Sequence, residues 1–394
     1  MGPVGVRPGF AALLVLRNVL RIQVTFQQAQ DQERGASPLN IADHEHYVLK
    51  EILSQPDIWR HTLAWVQAGS VRQKAWSLIG QRPIILAGCG SSYYLSLACS
   101  PVWNALGAAP AWALSATDLM LYPDGYWRGQ RPGTVIAVSR SGKTVETCEA
   151  TRHARALGWH AVGVTCYSDT PLIAACEESL VLTDAAEVSR FTTRALTAMI
   201  LLLEMLVAGH TRNEELRREL LQLPDHASRL LGRYGEQIAD FARTGTFQDY
   251  VFLGQGPYFG IASELALKTK EMVRTSAVAY PSLEFLHGPR YAATSSTLIV
   301  VLLSDGGAKY QLELLPKLKP LGAKIAVVCE RTSAEVTANA DFVLELESGL
   351  SDYGRMLLMV PPLQLFAYHR ALAVGKSSWI EQMITLPAKS PQFS

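Results

Sequence analysis

Several things are missing from this 394-residue chain, and each absence narrows the field. Charge of one sign is not in excess: 36 Lys and Arg face 35 Asp and Glu, for a formal charge of +1. No basic tract is interleaved with aromatics, so a nucleic-acid partner is not expected, although a small acidic substrate needs only local positive potential. The six cysteines, Cys89, Cys99, Cys148, Cys166, Cys176 and Cys329, form no CxxC pair and no zinc signature. Cys99, Cys148 and Cys166 read as small core residues, and the chain as a reduced, cytoplasmic one without a metal. The apolar stretch from Phe10 to Val24 is interrupted by Arg17 and Arg21, too short to span a bilayer, and not followed by a clean cleavage site. No membrane partner is expected, and residues 1–41 read as an irregular extension. Dinucleotide and Walker fingerprints are also missing. GCGSSY lacks the third glycine of GxGxxG, and SRSGKT has Ala137 where a Walker loop starts with Gly. No cofactor is expected.

What the chain does have is a recurring unit. Short, continuously apolar runs are each followed by a turn and a helical pattern, which is how parallel strands covered on both faces read. Runs at 83–87, 111–115, 134–138, 160–165 and 180–182 make a first set; 250–254, 277–279, 298–303, 324–329 and 342–346 make a second. Between them, 213–242 is polar with apolar residues at helical spacing, and reads as a connector. Residues 43–78 read as two helices interrupted near Gln55-Pro56, and 123–133 as a loop.

The two sets match in register. A strand ends in Gly88-Cys89-Gly90 and another in Gly254-Gln255-Gly256; the next Ser-containing strand end follows 51 residues after Gly88 (Ser139) and 50 after Gly254 (Ser304). Internal duplication is the economical explanation. The expected fold class is α/β: two three-layer α/β/α domains with parallel sheets. The expected divisions are 1–41, the extension; 42–215, a first domain with N-terminal helices; 216–245, the connector; 246–380, a second domain; and 381–394, a C-terminal loop.

Ligands of open parallel sheets bind at the carboxyl ends of the strands. Two hydroxyl-rich loops fall there, Gly88 to Ser92 and Ser139 to Thr144, each before a helix whose free N–H groups favour an anion. Ser91, Ser92, Ser139, Ser141 and Thr144 add donors, and Arg140 and Lys143 add charge, as a phosphate requires. The plainer alternative is that the serines cap the helices. In the second half, Glu264, Lys268 and Glu271 are spaced four and three apart and share one helix face. Together with His287 of the Glu284 to Pro289 stretch they suit proton transfer. The plainer alternative is a solvated ion pair and a turn histidine.

These segments, taken together, resemble the double sugar-isomerase-domain (SIS) family. That family includes the isomerase half of glutamine-fructose-6-phosphate amidotransferases and stand-alone amino-sugar-phosphate deaminases. The likeness covers roughly 49–390. It rests on Cys89-Gly90-Ser91-Ser92-Tyr93, on Ser139 to Thr144, on Glu264-x-x-Leu267-Lys268-x-Lys270-Glu271, on Glu284-x-x-His287-Gly288-Pro289, on Pro362 to Tyr368, and on Pro387 to Ser390. The resemblance implies that Glu271 moves a proton between C1 and C2 of the sugar, with Glu264 and Lys268 supporting it. It further implies that His287, from the neighbouring subunit of a homodimer, opens the ring, and that Lys389 lies in a C-terminal loop closing over the substrate. The two loops would hold the phosphate or the sugar hydroxyls. Arg140 and Lys143 depart from the family's Gln and Glu, Gln255 from its frequent Arg, and Glu187 to Thr193 matches only loosely. With no glutaminase domain in view, the implied reaction is deamination with isomerisation of a phosphorylated amino sugar, glucosamine 6-phosphate to fructose 6-phosphate plus ammonia. The alternatives are an aldose-ketose phosphate isomerase, a deglycase, or a sugar-phosphate sensor without activity.

Overall fold

The structure, a computed structural model, describes residues 45–68, 83–107, 109–127 and 132–384. The expectations placed on 1–41, on Lys389 and on the closing loop lie outside these residues.

The chain enters with helices α1 (Glu45–Leu53) and α2 (Gln55–Gln67), the second starting at Pro56, where a missing N–H costs nothing. The first lobe follows: β1 (Ile84–Gly88), α3 (Ser91–Leu106), β2 (Ala111–Ser115), β3 (Thr134–Val138), α4 (Val145–Ala156), β4 (His160–Thr165), β5 (Glu178–Val181) and α5 (Arg194–Thr211). The 31-residue α6 (Glu214–Thr244) leads to the second lobe, its N-terminus capped by the Asn213 side chain on Leu216 N–H. There stand β6 (Asp249–Gly254), α7 (Pro257–Val273), β7 (Ser276–Pro281), β8 (Thr297–Leu302), α8 (Ala308–Leu318), β9 (Lys324–Cys329), β10 (Phe342–Glu345) and α9 (Val360–Ala373).

Both sheets are wholly parallel. The first runs β2-β1-β3-β4-β5 and the second β7-β6-β8-β9-β10, which is the same winding in each. β1, β3 and β8 are buried along their whole lengths, and β6 but for its first residue, as continuous Val, Ile and Leu runs demand. The duplication extends to the backbone. Gly90 and Gly256, each just before the first helix of its lobe, have φ/ψ of 54°/−126° and 59°/−128°, a region a side chain disfavours. The fold is thus a duplicated α/β/α pair, as the spacing of the two glycine turns predicts.

The reading of 123–133 as a loop needs correction at its start. Residues 116–121 and 123–127 are short helices, and Pro123 opens the second instead of breaking it. Among the described residues one helix, α5, is long and apolar enough to cross a membrane, but 78% of that stretch is buried inside the protein. Its buried residues run without interruption from Ala195 to Ala208, so it is the central helix of the core, apolar all round because it is covered all round.

The lobes meet through α3 and α7. A Cβ on Gly260 would lie 2.2 Å from the backbone nitrogen of Ala98, so only glycine permits this approach. Nearer the start of α3, a Cβ on Gly90 would lie 3.9 Å from Leu267. Position advances along α3 while it recedes along α7, so the helices run antiparallel. The N-terminal turn of α3, with Ser91 and Ser92, therefore lies beside the C-terminal half of α7.

Candidate active site

That half of α7 presents Glu264, Lys268 and Glu271. The side chains of Lys268 and Glu264 are each 1% exposed, with Lys268 Nζ 3.6 Å from Glu264 Oε1; Glu271, 34% exposed, accepts a hydrogen bond from the same Nζ. The solvated ion pair is thereby ruled out: a lysine is buried between two carboxylates, and only Glu271 reaches the surface. Burial works against the Lys268 charge, but Glu264 and Glu271 outweigh it and raise its pKa. Burial pushes the Glu264 carboxyl up to about 8, with Lys268 and the Ser91 hydroxyl pulling the other way. Neither Glu264 oxygen has a partner at hydrogen-bond distance among the described residues. The group thus sets a protonatable, sealed carboxyl behind a lysine, and an accessible carboxylate in front of it. Its position is fixed from outside α7 as well: Trp379 Nε1 donates to the Glu271 carbonyl at 2.7 Å, and Arg274 lies over the same indole.

The hydroxyl loops gather at the strand ends next to this group. No side-chain hydroxyl caps α3 or α4, so the capping alternative fails for both loops. Ser92 and Ser139 are buried, and Ser91, Ser141 and Thr144 half-buried. The Ser139 and Thr144 hydroxyls are 2.9 Å apart, and Lys143 N–H donates to Ser141 Oγ at 3.2 Å. The backbone N–H groups of Arg140 and Ser141 have no acceptor among the described residues. An oxyanion placed here meets two main-chain donors and several hydroxyls.

Arg140 is placed differently from the phosphate contact the spacing predicts. Its Nη1 donates to Glu187 Oε2 (3.1 Å), to the Ser189 carbonyl (3.2 Å) and to the Phe191 carbonyl (2.8 Å). The guanidinium anchors the Glu187 to Thr193 segment to the β3 loop. Glu187 in turn accepts from the Thr193 N–H and hydroxyl, and buried Glu51 on α1 accepts from the N–H groups of Val188 and Ser189. Arg140 still acts on the site at a distance, since its charge lowers the pKa of Lys268. Glu51, Glu187 and Trp379 carry no local sequence signal that would have found them, because each acts on a segment distant along the chain or through its own backbone neighbours.

His287 is exposed, on the turn after β7, and among the described residues no hydrogen bond or ion pair joins it to Glu264, Lys268 or Glu271. No group of three or more His, Cys, Asp or Glu that could hold a metal exists among the described residues.

With this geometry in place, similarity to known proteins becomes informative. The chain matches the SIS domain family, over residues 249–374. It is 28% identical over 345 residues to the isomerizing glutamine–fructose-6-phosphate aminotransferase of Pyrobaculum aerophilum, an alignment covering 84% of this chain and 55% of that protein. The chain thus spans little more than half the length of the curated relatives it matches. Its fold is that of tagatose-6-phosphate ketose/aldose isomerase from Escherichia coli (TM-score 0.77, 23% identity, 90% of this chain and 100% of the other). It is also that of glucosamine-6-phosphate deaminase from Thermotoga maritima (TM-score 0.69, 21% identity, 84% and 95%). The SIS match falls on the lobe that holds Glu264, Lys268 and Glu271, and the structural likeness extends over both lobes.

Proposed function

We propose that this protein is a sugar-phosphate isomerase or deaminase that transfers a proton between adjacent carbons of a phosphorylated amino sugar, glucosamine 6-phosphate being the best concrete substrate. The observation that carries this reading is the buried Glu264–Lys268–Glu271 set standing against a loop of unpartnered N–H groups and hydroxyls. A phosphoryl group held by Arg140 N–H, Ser141 N–H and the hydroxyls of Ser91, Ser92, Ser139, Ser141 and Thr144 would fix one end of a six-carbon chain. The other end would reach Glu271. The names of the three relatives given above, each of which contains a hexose 6-phosphate, support the same substrate class.

Glu271 has the exposure and the charged partner that a base needs. In the open-chain aldehyde it takes the C2 proton while Lys268 holds the resulting neutral acid in place, and it returns a proton to C1. The amino sugar then passes through an enolamine to a ketimine. Water adds to the ketimine carbon, the C–N bond breaks, and ketose 6-phosphate and ammonia leave. His287 serves ring opening in a homodimer, from the partner subunit, a role that asks for no contact with Glu271 within one chain.

A second reading, aldose-ketose isomerisation without ammonia, is favoured by the likeness to the tagatose-6-phosphate isomerase. A panel of amino- and hydroxy-hexose 6-phosphates, scored for both ammonia and ketose, separates the two. Ammonia in step with ketose from glucosamine 6-phosphate supports the first; ketose from hydroxy sugars alone supports the second; neither product from any sugar phosphate contradicts both.

A further inference from the structure

The duplication places a second copy of the anion loop in the second lobe, at the end of β8. Ser139, Arg140, Ser141 and Gly142 correspond in register to Leu303, Ser304, Asp305 and Gly306, because Ser139 N–H donates to the Val164 carbonyl as Leu303 N–H does to that of Val328. In the first lobe the N–H groups of Arg140 and Ser141 have no acceptor among the described residues. In the second, the Ser304 N–H, at the position of Arg140, donates to Gln311 Oε1 at 3.0 Å, while the N–H groups of Asp305 and Gly306, at the positions of Ser141 and Gly142, each donate to one oxygen of the Asp352 carboxylate, both at 2.8 Å. Arg355 Nη2 donates to the same carboxylate at 2.7 Å and Tyr258 hydroxyl at 3.2 Å. Four donors around one carboxylate is the arrangement that receives a free oxyanion.

The surroundings are built for an anion too. Arg355 is 1% exposed at its side chain, also pairs with Asp305 at 2.7 Å, and its buried Nε, 3.8 Å from Glu330 Oε2, has no hydrogen-bond partner among the described residues. Its backbone is secured one turn back, where the Ser351 N–H and hydroxyl both donate to Glu219 on α6. Asp352 itself reaches the loop from beyond β10, much as Glu187 reaches the β3 loop from beyond β5, but with the roles reversed. In the first lobe the carboxylate binds the arginine of the loop; in the second it binds the loop's amides.

We propose that Asp352 is an internal anion that fills the second lobe's copy of the oxyanion loop, leaving the protein one phosphoryl site per chain instead of two. The inference rests on the reading of the first-lobe loop as a phosphoryl site. Removing the carboxylate while leaving its space open creates a second site for a small oxyanion, phosphate or carboxylate.

The test uses the full chain with Asp352→Ala and Asp352→Asn. Thermal unfolding is followed in chloride, in inorganic phosphate and in formate at equal ionic strength, and phosphate binding is titrated calorimetrically. In chloride, Asp352→Ala loses about 5 °C in Tm. Phosphate or formate restores most of that loss, and the variant binds two phosphates per chain where the parent binds one. Asp352→Asn keeps the side chain in the loop and shows neither the restoration nor the second phosphate. Equal anion effects on parent and Asp352→Ala, with equal phosphate counts, overturn the proposal. If Asp352→Ala is recovered only as aggregate, refolding decides: recovery in phosphate but not in chloride supports the internal anion, and failure in both overturns it. A parent chain that binds no phosphate, with a variant that binds one, would sink the first-lobe reading while sustaining this one.

Discussion

The two lobes share one winding, one glycine turn and one loop position, yet they put different chemistry at corresponding places. The first lobe's β3 loop offers open amides and hydroxyls, and its loop arginine is tied down by Glu187. The second lobe's β8 loop is closed by Asp352, and its leading helix, α7, carries Glu264, Lys268 and Glu271 where the matching positions of α3 are Ala98, Val102 and Ala105. The buried carboxyls differ in the same way. Glu204 on α5 and Glu264 on α7 are both sealed from solvent, but only Glu264 has a cation against it. Duplication supplies a scaffold with two like sets of strand ends, and a few substitutions at the loops and along the paired helices decide which lobe grips and which reacts.

The hardest way to break this division is to remove the lysine. Lys268→Met leaves Glu264 and Glu271 facing each other, with one of them buried. Loss of a partner from a buried pair costs about 3–5 kcal/mol, so a large drop in the urea midpoint is expected together with loss of turnover. An unchanged midpoint would show that the trio is not coupled as its geometry indicates.

A milder change sharpens the contrast between the two carboxyls. Burial holds Glu204 well above the ordinary carboxylate range, and neither of its oxygens has a hydrogen-bond partner among the described residues. The folded state therefore keeps a proton that the unfolded chain releases above its ordinary value of 4.5. Stability contributed in this way is whole below that pH and declines as pH rises; the same sign applies to Glu264 up to about 8. Glu204→Leu should flatten this decline, by about 1.4 kcal/mol for each pH unit over which the unfolded chain alone has released the proton. Urea titrations of parent and variant between pH 5 and 8, about three units, check this, and parallel slopes would contradict it.

Much of this architecture was legible in the residues. The inner strands follow from continuous runs of β-branched and aliphatic residues, β2, β5 and β7 from shorter and more mixed runs, and α7's polar face from the spacing of Glu264, Lys268 and Glu271. What spacing could not convey is depth. The same i,i+4 pair reads as a solvated bridge or a buried one, and only the packing of α7 on α3 through Gly260 decides. Nor could it convey partnership across the chain. Arg140 looks like a phosphate ligand until Glu187, 47 residues on, is seen to hold it. Ser304 to Gly307 looks like a weakened loop until Asp352, equally far, is found inside it.

The central claim is that the first lobe binds and the second reacts. Its most direct test measures, on one sugar phosphate, both affinity and turnover for Ser141→Ala and Glu271→Gln. The account predicts that Ser141→Ala weakens binding about tenfold while retaining most of its kcat. Glu271→Gln should bind like the parent while kcat falls by a factor on the order of 10³. Turnover by Glu271→Gln near the parental rate, or unaltered affinity in Ser141→Ala, would contradict it.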